Sequence, residues 1–256
     1  MLNLNNKVKE ILDGGSTAYG TFVMGNDPAV AEILGYGGLD FILVDTEHSS
    51  TQVHQAEQLF RAAEVSGAVP FMRVTVNEPA KILQALDAGA RGIIIPQVNS
   101  AAEALATVKA ARYYPAGERG VAAIVRAARY GFLSFADYAA QTNQQIMVLT
   151  QVEHVDAVAN LDEILSVEGL DGIFIGPADL SQSMKIPGQF SNEDYRATVA
   201  NSIKRAREAG KIAGIFCFHA ADAKDWISQG ANFVVIGADI MLMSRAVRQL
   251  VSDLKG

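Results

Sequence analysis

The chain has 256 residues, a net charge of −7 and a composition that is half hydrophobic. That length matches the roughly 250 residues of one (β/α)8 barrel, so residues 1–256 read as one domain with a substantial core. No clustered basic run favours a nucleic-acid partner, and no apolar run approaches the roughly 20 residues of a membrane span.

The opening segment, MLNLNNKVKEILDGG, reads as a short amphipathic helix and lacks the apolar stretch of a signal peptide. A short apolar run, a loop and a helical stretch then repeat. The runs are 18–24, 40–45, 69–74, 92–98, 146–153, 172–177, 212–218 and 232–239. Their near-continuous hydrophobicity suits strands buried on both faces of a parallel sheet. Gly67, Gly89, Gly169, Gly210 and Gly230 stand where helix C-caps are expected. Eight such units predict an α/β fold closed as a (β/α)8 TIM barrel, with an N-terminal helix and a long β4–β5 connection at 113–145. A doubly wound sheet is the alternative, weakened by the lack of a GxGxxG after the first strand. A connection of that length commonly carries function or an interface. The sole cysteine, Cys217, cannot form an internal disulfide, which suits a reducing cytoplasm.

Active sites of such barrels lie at the C-terminal ends of the strands. There the sequence places Asp45-Thr46-Glu47-His48, Arg73, Gln151-Val152-Glu153 and Gly176-Pro177-Ala178-Asp179. Glu153 and Asp179, from adjacent strands, can converge on one oxygen-seeking divalent cation such as Mg²⁺ or Mn²⁺. Asp179 can equally serve as a helix cap. Gly176 permits close backbone approach, and the N–H groups after Pro177 can receive a carboxylate. Arg73 suits a developing oxyanion, or an ion pair with Glu47. Asp45 can orient His48 as a base near neutral pH. Of the other histidines, His54 and His154 read as solvent-facing, and His219 as a lesser pocket candidate. No strand run contains a lysine, which disfavours Schiff-base chemistry.

The motifs LVDTEHS (43–49), MRV (72–74), NEP (77–79), LDAGARGIIIPQV (86–98), YYPAGERG (113–120), QVE (151–153), NLDEI (160–164) and DGIFIGPADLS (171–181) resemble the HpcH/HpaI aldolase family, from Gly20 to about Arg245. The resemblance implies a class II pyruvate aldolase that cleaves 4-hydroxy-2-oxo acids to pyruvate and an aldehyde through an enolate stabilised by Mg²⁺, Mn²⁺ or Co²⁺. It implies Glu153 and Asp179 as metal ligands, Arg73 as the group on the keto oxygen, and His48 with Asp45 as an acid/base dyad. Glu47 would sit near the metal waters. Gln151, Gly176, Ala178 and Asp179 would contact substrate, and Asp87 would lie near the mouth across a subunit contact. A homo-hexamer is implied as well. Departures such as DTEHSS at 45–50 and VAAIVRAARYG at 121–131 leave the acceptor aldehyde open. Two other readings are an acyl-CoA lyase of malyl or citramalyl type and a barrel that binds a keto acid without catalysis.

Overall fold

The computed structural model describes residues 4–255. Eight parallel strands close into a barrel in sequence order. They are β1 (Ala18–Val23), β2 (Phe41–Asp45), β3 (Val69–Arg73), β4 (Gly92–Ile95), β5 (Met147–Val152), β6 (Gly172–Ile175), β7 (Ile212–Cys217) and β8 (Phe233–Ala238). The helices are α1 (Lys7–Asp13), α2 (Pro28–Tyr36), α3 (Val53–Ser66), α4 (Pro79–Ala88), α5 (Ala101–Ala111), α6 (Phe135–Gln145), α7 (Val155–Ala159), α8 (Leu161–Leu165), α9 (Pro177–Ser183), α10 (Glu193–Glu208), α11 (Ala220–Ser228) and α12 (Asp239–Lys255).

The interior is an aromatic plug. Phe41 stacks on Phe233 with ring centroids 4.2 Å apart, and Phe71 lies 5.2 Å from Phe233. Glycines on neighbouring strands make the room: a Cβ at Gly20 would stand 2.3 Å from the Phe41 ring, and one at Gly92 2.0 Å from Phe71. The expected N-terminal helix is present as α1, although residues 1–3 of that segment lie outside the described residues. Its Val8 and Leu12 join the aromatic cluster. Its cap, the fully buried Asn6, accepts from Val8 and Lys9 and donates to the Arg91 and Gln145 carbonyls at 3.0 Å. Those carbonyls precede β4 and β5, so α1 closes the N-terminal end of the barrel. The other end stays open.

The structure refines the sequence reading, most visibly in three places. β4 stops at Ile95 rather than at 98, because Pro96 and a left-handed Gln97 (φ 56°) turn the chain outward. The helical stretch at 154–169 splits into α7 and α8 at Asn160, whose side chain donates to the Asn99 carbonyl at 2.8 Å. The 113–145 connection is ordered, with a 3₁₀ turn at Arg126–Gly131 and the capped helix α6. Tyr113, Ala128 and Tyr138 of this segment form a small core with Leu4. The five glycines expected at helix ends all have positive φ, where a side chain would be strained.

Phe233 touches several rings of the plug, so Phe233→Ala should lower unfolding free energy by about 3–5 kcal/mol. Urea denaturation should show this as a lower midpoint with an unchanged slope.

Candidate active site at the barrel mouth

The register of β2 and β3 makes Asp45 and Arg73 direct neighbours at the C-terminal ends of their strands. Both side chains turn into the mouth and lock together. Arg73 donates from Nε to Oδ1 at 3.0 Å and from Nη2 to Oδ2 at 2.7 Å, a bidentate pair that is almost fully buried. The guanidinium also lies 4.6 Å above the Phe22 ring. Nη1 is left facing Glu47, with Oε2 at 3.3 Å. The expected ion pair between Arg73 and Glu47 is therefore present, but Asp45 is the dominant partner.

No hydrogen bond joins Asp45 to the His48 imidazole, the group it was expected to orient. Its carboxylate is taken by Arg73 and by the backbone N–H groups of Glu47 (3.0 Å) and His48 (3.3 Å). It thus shapes the β2–α3 loop, while the half-exposed imidazole lies with Nε2 3.9 Å from Glu47 Oε2. Thr46 fixes the same loop to β3 by donating from Oγ1 to the Arg73 carbonyl at 2.7 Å.

Across the mouth, Glu153 follows β5 and is buried. Its Oε1 accepts from the Gln97 N–H at 2.7 Å, and its Oε2 accepts from Gln151 Nε2. The left-handed turn at Gln97 aims that N–H at the carboxylate. Gly176 leaves the space in front of the pair, since a Cβ there would stand 3.1 Å from both Gln151 Nε2 and Glu153 Oε2. Asp179, exposed in the first turn of α9, lines the same cavity of about 500 Å³ as Glu47, His48 and Glu153. No side chain caps α9, so Asp179 does not serve as the helix cap. A second cavity of about 320 Å³ joins Asp45, His48, Arg73, Gln151, Gly176, Ala178 and Asp179 with the rings of Phe22, Phe174, Phe216 and Phe218.

The mouth is short of positive charge. Burial pushes the Glu47 carboxyl up to about 7; Arg73 opposes that shift, while Glu153, Asp45 and Asp179 add to it. Gln151 Oε1 is buried without a hydrogen-bond partner. Three of these carboxylates share one cavity while the guanidinium is held by Asp45, so the donor set fits a hard divalent cation. Among the described residues no three His, Cys, Asp or Glu side chains form a ready cage, so water or substrate oxygens would complete the coordination.

Asp87 does not reach the mouth of its own chain, and its expected place near a mouth across a subunit contact is a proposal. It ends α4 at the far end of the barrel and accepts at 2.7 Å from Arg119, whose side chain is fully buried. Arg119 also donates to Tyr138 Oη at 3.2 Å and lies 4.7 Å above the Tyr113 ring. Within the chain, Asp87 anchors the 113–145 segment. His54 is exposed on α3, and His154 caps α7 with Nδ1 accepting from the Asp156 N–H at 3.2 Å. His219 lies outside both mouth cavities. Sequence reasoning missed Gln97, for which no local signal exists, and the Phe22, Phe174, Phe216 and Phe218 wall, which strand alternation places inward.

Glu47 holds its proton more tightly when folded, so the folded state binds more protons than the unfolded chain between pH 4.5 and about 7. In protein stripped of divalent ions, this group's contribution is full below pH 4.5 and lost as pH rises toward 7. Glu47→Gln should flatten that part of the profile, measured as thermal midpoint against pH.

Comparison with known proteins agrees with this geometry. The profile of the HpcH/HpaI aldolase/citrate lyase family matches residues 18–246. The chain is 39% identical to 2-keto-3-deoxy-L-rhamnonate aldolase of Escherichia coli (strain K12), over 98% of this chain and 94% of the relative. A HpcH/HpaI aldolase/citrate lyase family protein from Burkholderia cenocepacia J2315 superposes with a TM-score of 0.93 at 31% identity, covering 98% of this chain and 100% of that one. Citrate synthase SbnG superposes with a TM-score of 0.86 at 32% identity, covering 96% of each chain. The chain belongs to the HpcH/HpaI aldolase/citrate lyase family.

Proposed function

We propose that the mouth of this barrel reversibly cleaves 4-hydroxy-2-oxo acids to pyruvate and an aldehyde. The observation that supports it most is the single cavity shared by Arg73, His48, Gln151, Gly176, Ala178 and Asp179, with Glu153 behind Gly176. Substrate carboxylate and keto groups are placed against Gly176, Gln151 and the backbone N–H groups of Ala178 and Asp179. Arg73 lines that cavity, and its Nη1 stays outside the grip of Asp45, which engages Nε and Nη2. It can therefore stabilise negative charge on the keto oxygen without moving.

In cleavage, His48 removes the proton from the C4 hydroxyl. The C3–C4 bond then breaks, the aldehyde leaves, and the electron pair passes through C2 to the keto oxygen. Protonation at C3 yields pyruvate. Glu153 and Asp179 would hold Mg²⁺, Mn²⁺ or Co²⁺, which supplies Lewis-acid polarisation of the keto oxygen. No lysine lines either mouth cavity among the described residues, which supports this route over a Schiff base.

The likeness to citrate synthase SbnG favours one second reading, an acyl-CoA lyase or synthase that uses the same enolate-stabilising wall. Activity on a CoA thioester, rather than on a free 4-hydroxy-2-oxo acid, would select it.

We also propose a homo-oligomer, with the family's hexamer as the working assembly. The 17-residue α12 leaves Ile240, Met243, Val247, Leu250 and Leu254 exposed along one stripe. An apolar stripe of that length marks an interface. No helix among the described residues is long and apolar enough to cross a membrane. The single cysteine, Cys217, is buried and unpaired, which suits a cytoplasmic setting.

Oxaloacetate decarboxylation reaches the same enolate without removing a hydroxyl proton. Arg73→Ala should therefore cost on the order of 10²–10³ in both decarboxylation and aldol cleavage. His48→Ala should damage cleavage far more than decarboxylation, and a chelator should abolish both until Mn²⁺ is restored. Equal loss of both reactions in His48→Ala would remove the base assignment. For assembly, light scattering should give a mass above one chain, and Met243→Glu with Val247→Glu should lower it. A monomeric parent protein with full activity would overturn the assembly.

A further inference from the structure

A second chamber of about 450 Å³ lies beside the mouth, between the end of β7 and the first turns of α10 and α11. It shares Pro177, Phe216 and Phe218 with the catalytic cavity, so the two have a common wall. Aromatic contacts run from one to the other. Phe22 beside Arg73 lies 5.7 Å from Phe216, Phe216 lies 5.0 Å from Phe218, and Phe218 lies 5.0 Å from Phe190. Phe190 then meets Tyr195 at 5.8 Å, and Trp226 completes the lining.

The two arginines of the chamber are engaged by the protein. Arg196 covers the Trp226 ring at 4.7 Å and is ion-paired with Asp225. Arg245 donates from Nη2 to the Phe218 carbonyl at 2.8 Å. The wall shared with the catalytic cavity and the lining around Trp226 offer ring surface for recognition, with the exposed His219 and Asp222 beside it. The volume falls within the roughly 300–1,000 Å³ of small-molecule sites, and a two- or three-carbon aldehyde held at Arg73 would leave it empty.

We propose that this chamber binds the distal part of the acceptor aldehyde, and that this part is an apolar or aryl tail. The proposal rests on the aldolase reading. It assigns Phe190, Phe218 and Trp226 to acceptor specificity rather than to bond cleavage. Pyruvate and its enolate stay at Arg73, and the tail of the aldehyde passes across Phe216 and Phe218.

Trp226 is the only tryptophan and lines the chamber, so it reports binding without turnover. Titration with the unreactive alcohol 3-phenylpropan-1-ol should change its emission saturably, and Ser191→Phe at the rim should abolish the change. In metal-loaded enzyme with pyruvate, kcat/KM for 3-phenylpropanal relative to glycolaldehyde should fall about 10-fold or more in Phe190→Ala and Ser191→Phe. Oxaloacetate decarboxylation should stay at the parent rate in both. Unmoved Trp226 emission would overturn the chamber as a ligand site. Product from both aldehydes with an unchanged ratio would overturn the acceptor assignment alone. A Trp226 response without product from either aldehyde would overturn the aldolase reading and the acceptor assignment together.

Discussion

The chemistry at the mouth depends on one buried ion pair, Asp45 with Arg73. A guanidinium in this position needs a partner, because an uncompensated buried charge costs about 3–5 kcal/mol. The β2–β3 register supplies it, since the last residues of the two strands are direct neighbours. The bidentate grip fixes the plane of the guanidinium and directs Nη1 toward Glu47. The same carboxylate holds the backbone of Glu47 and His48. One residue thus sets the direction of the oxyanion donor and the path of the loop that carries the proposed base.

A second consequence is electrostatic. Asp45 is the dominant partner of Arg73, so Glu47, Glu153 and Asp179 share the mouth with little other positive charge; burial makes Glu47 hold its proton, opposed by Arg73 and aided by the neighbouring carboxylates. A keto acid is itself an anion and would be repelled by such a mouth. A divalent ion resolves both problems, because it offsets the carboxylates and attracts the substrate. The left-handed backbone at Gln97, which delivers an N–H to Glu153, belongs to the same design. Conformations of that kind persist only where surrounding structure enforces them, and they cluster at functional sites.

The barrel was legible because its signal is periodic. Eight apolar runs separated by helical stretches leave few alternatives, and the charged residues at their ends fall on one face by topology alone. Arg73, Glu153, Asp179, Gln151 and Gly176 all reach the mouth for that reason. What remained hidden depends on side-chain competition in three dimensions. Spacing places His48 three residues after Asp45, but it cannot show that Arg73 outcompetes the imidazole for the carboxylate. The resemblance matches Asp87 to a role across a subunit contact, and within its own chain Asp87 ties down Arg119 at the far side of the barrel. Within 113–145, α6 stands outside the strand–helix alternation that exposed the other helices, and its Tyr138 is buried in a small core with Leu4, Tyr113 and Ala128.

We propose that this charge imbalance serves to hold one divalent ion at Glu153 and Asp179. Calorimetric titration of Mn²⁺ into metal-stripped protein tests it most directly. The expected result is one ion per chain, bound more tightly with pyruvate present, with binding lost in Glu153→Gln and severely weakened in Asp179→Asn. No saturable binding to the parent protein, or the same binding in Glu153→Gln, would contradict it.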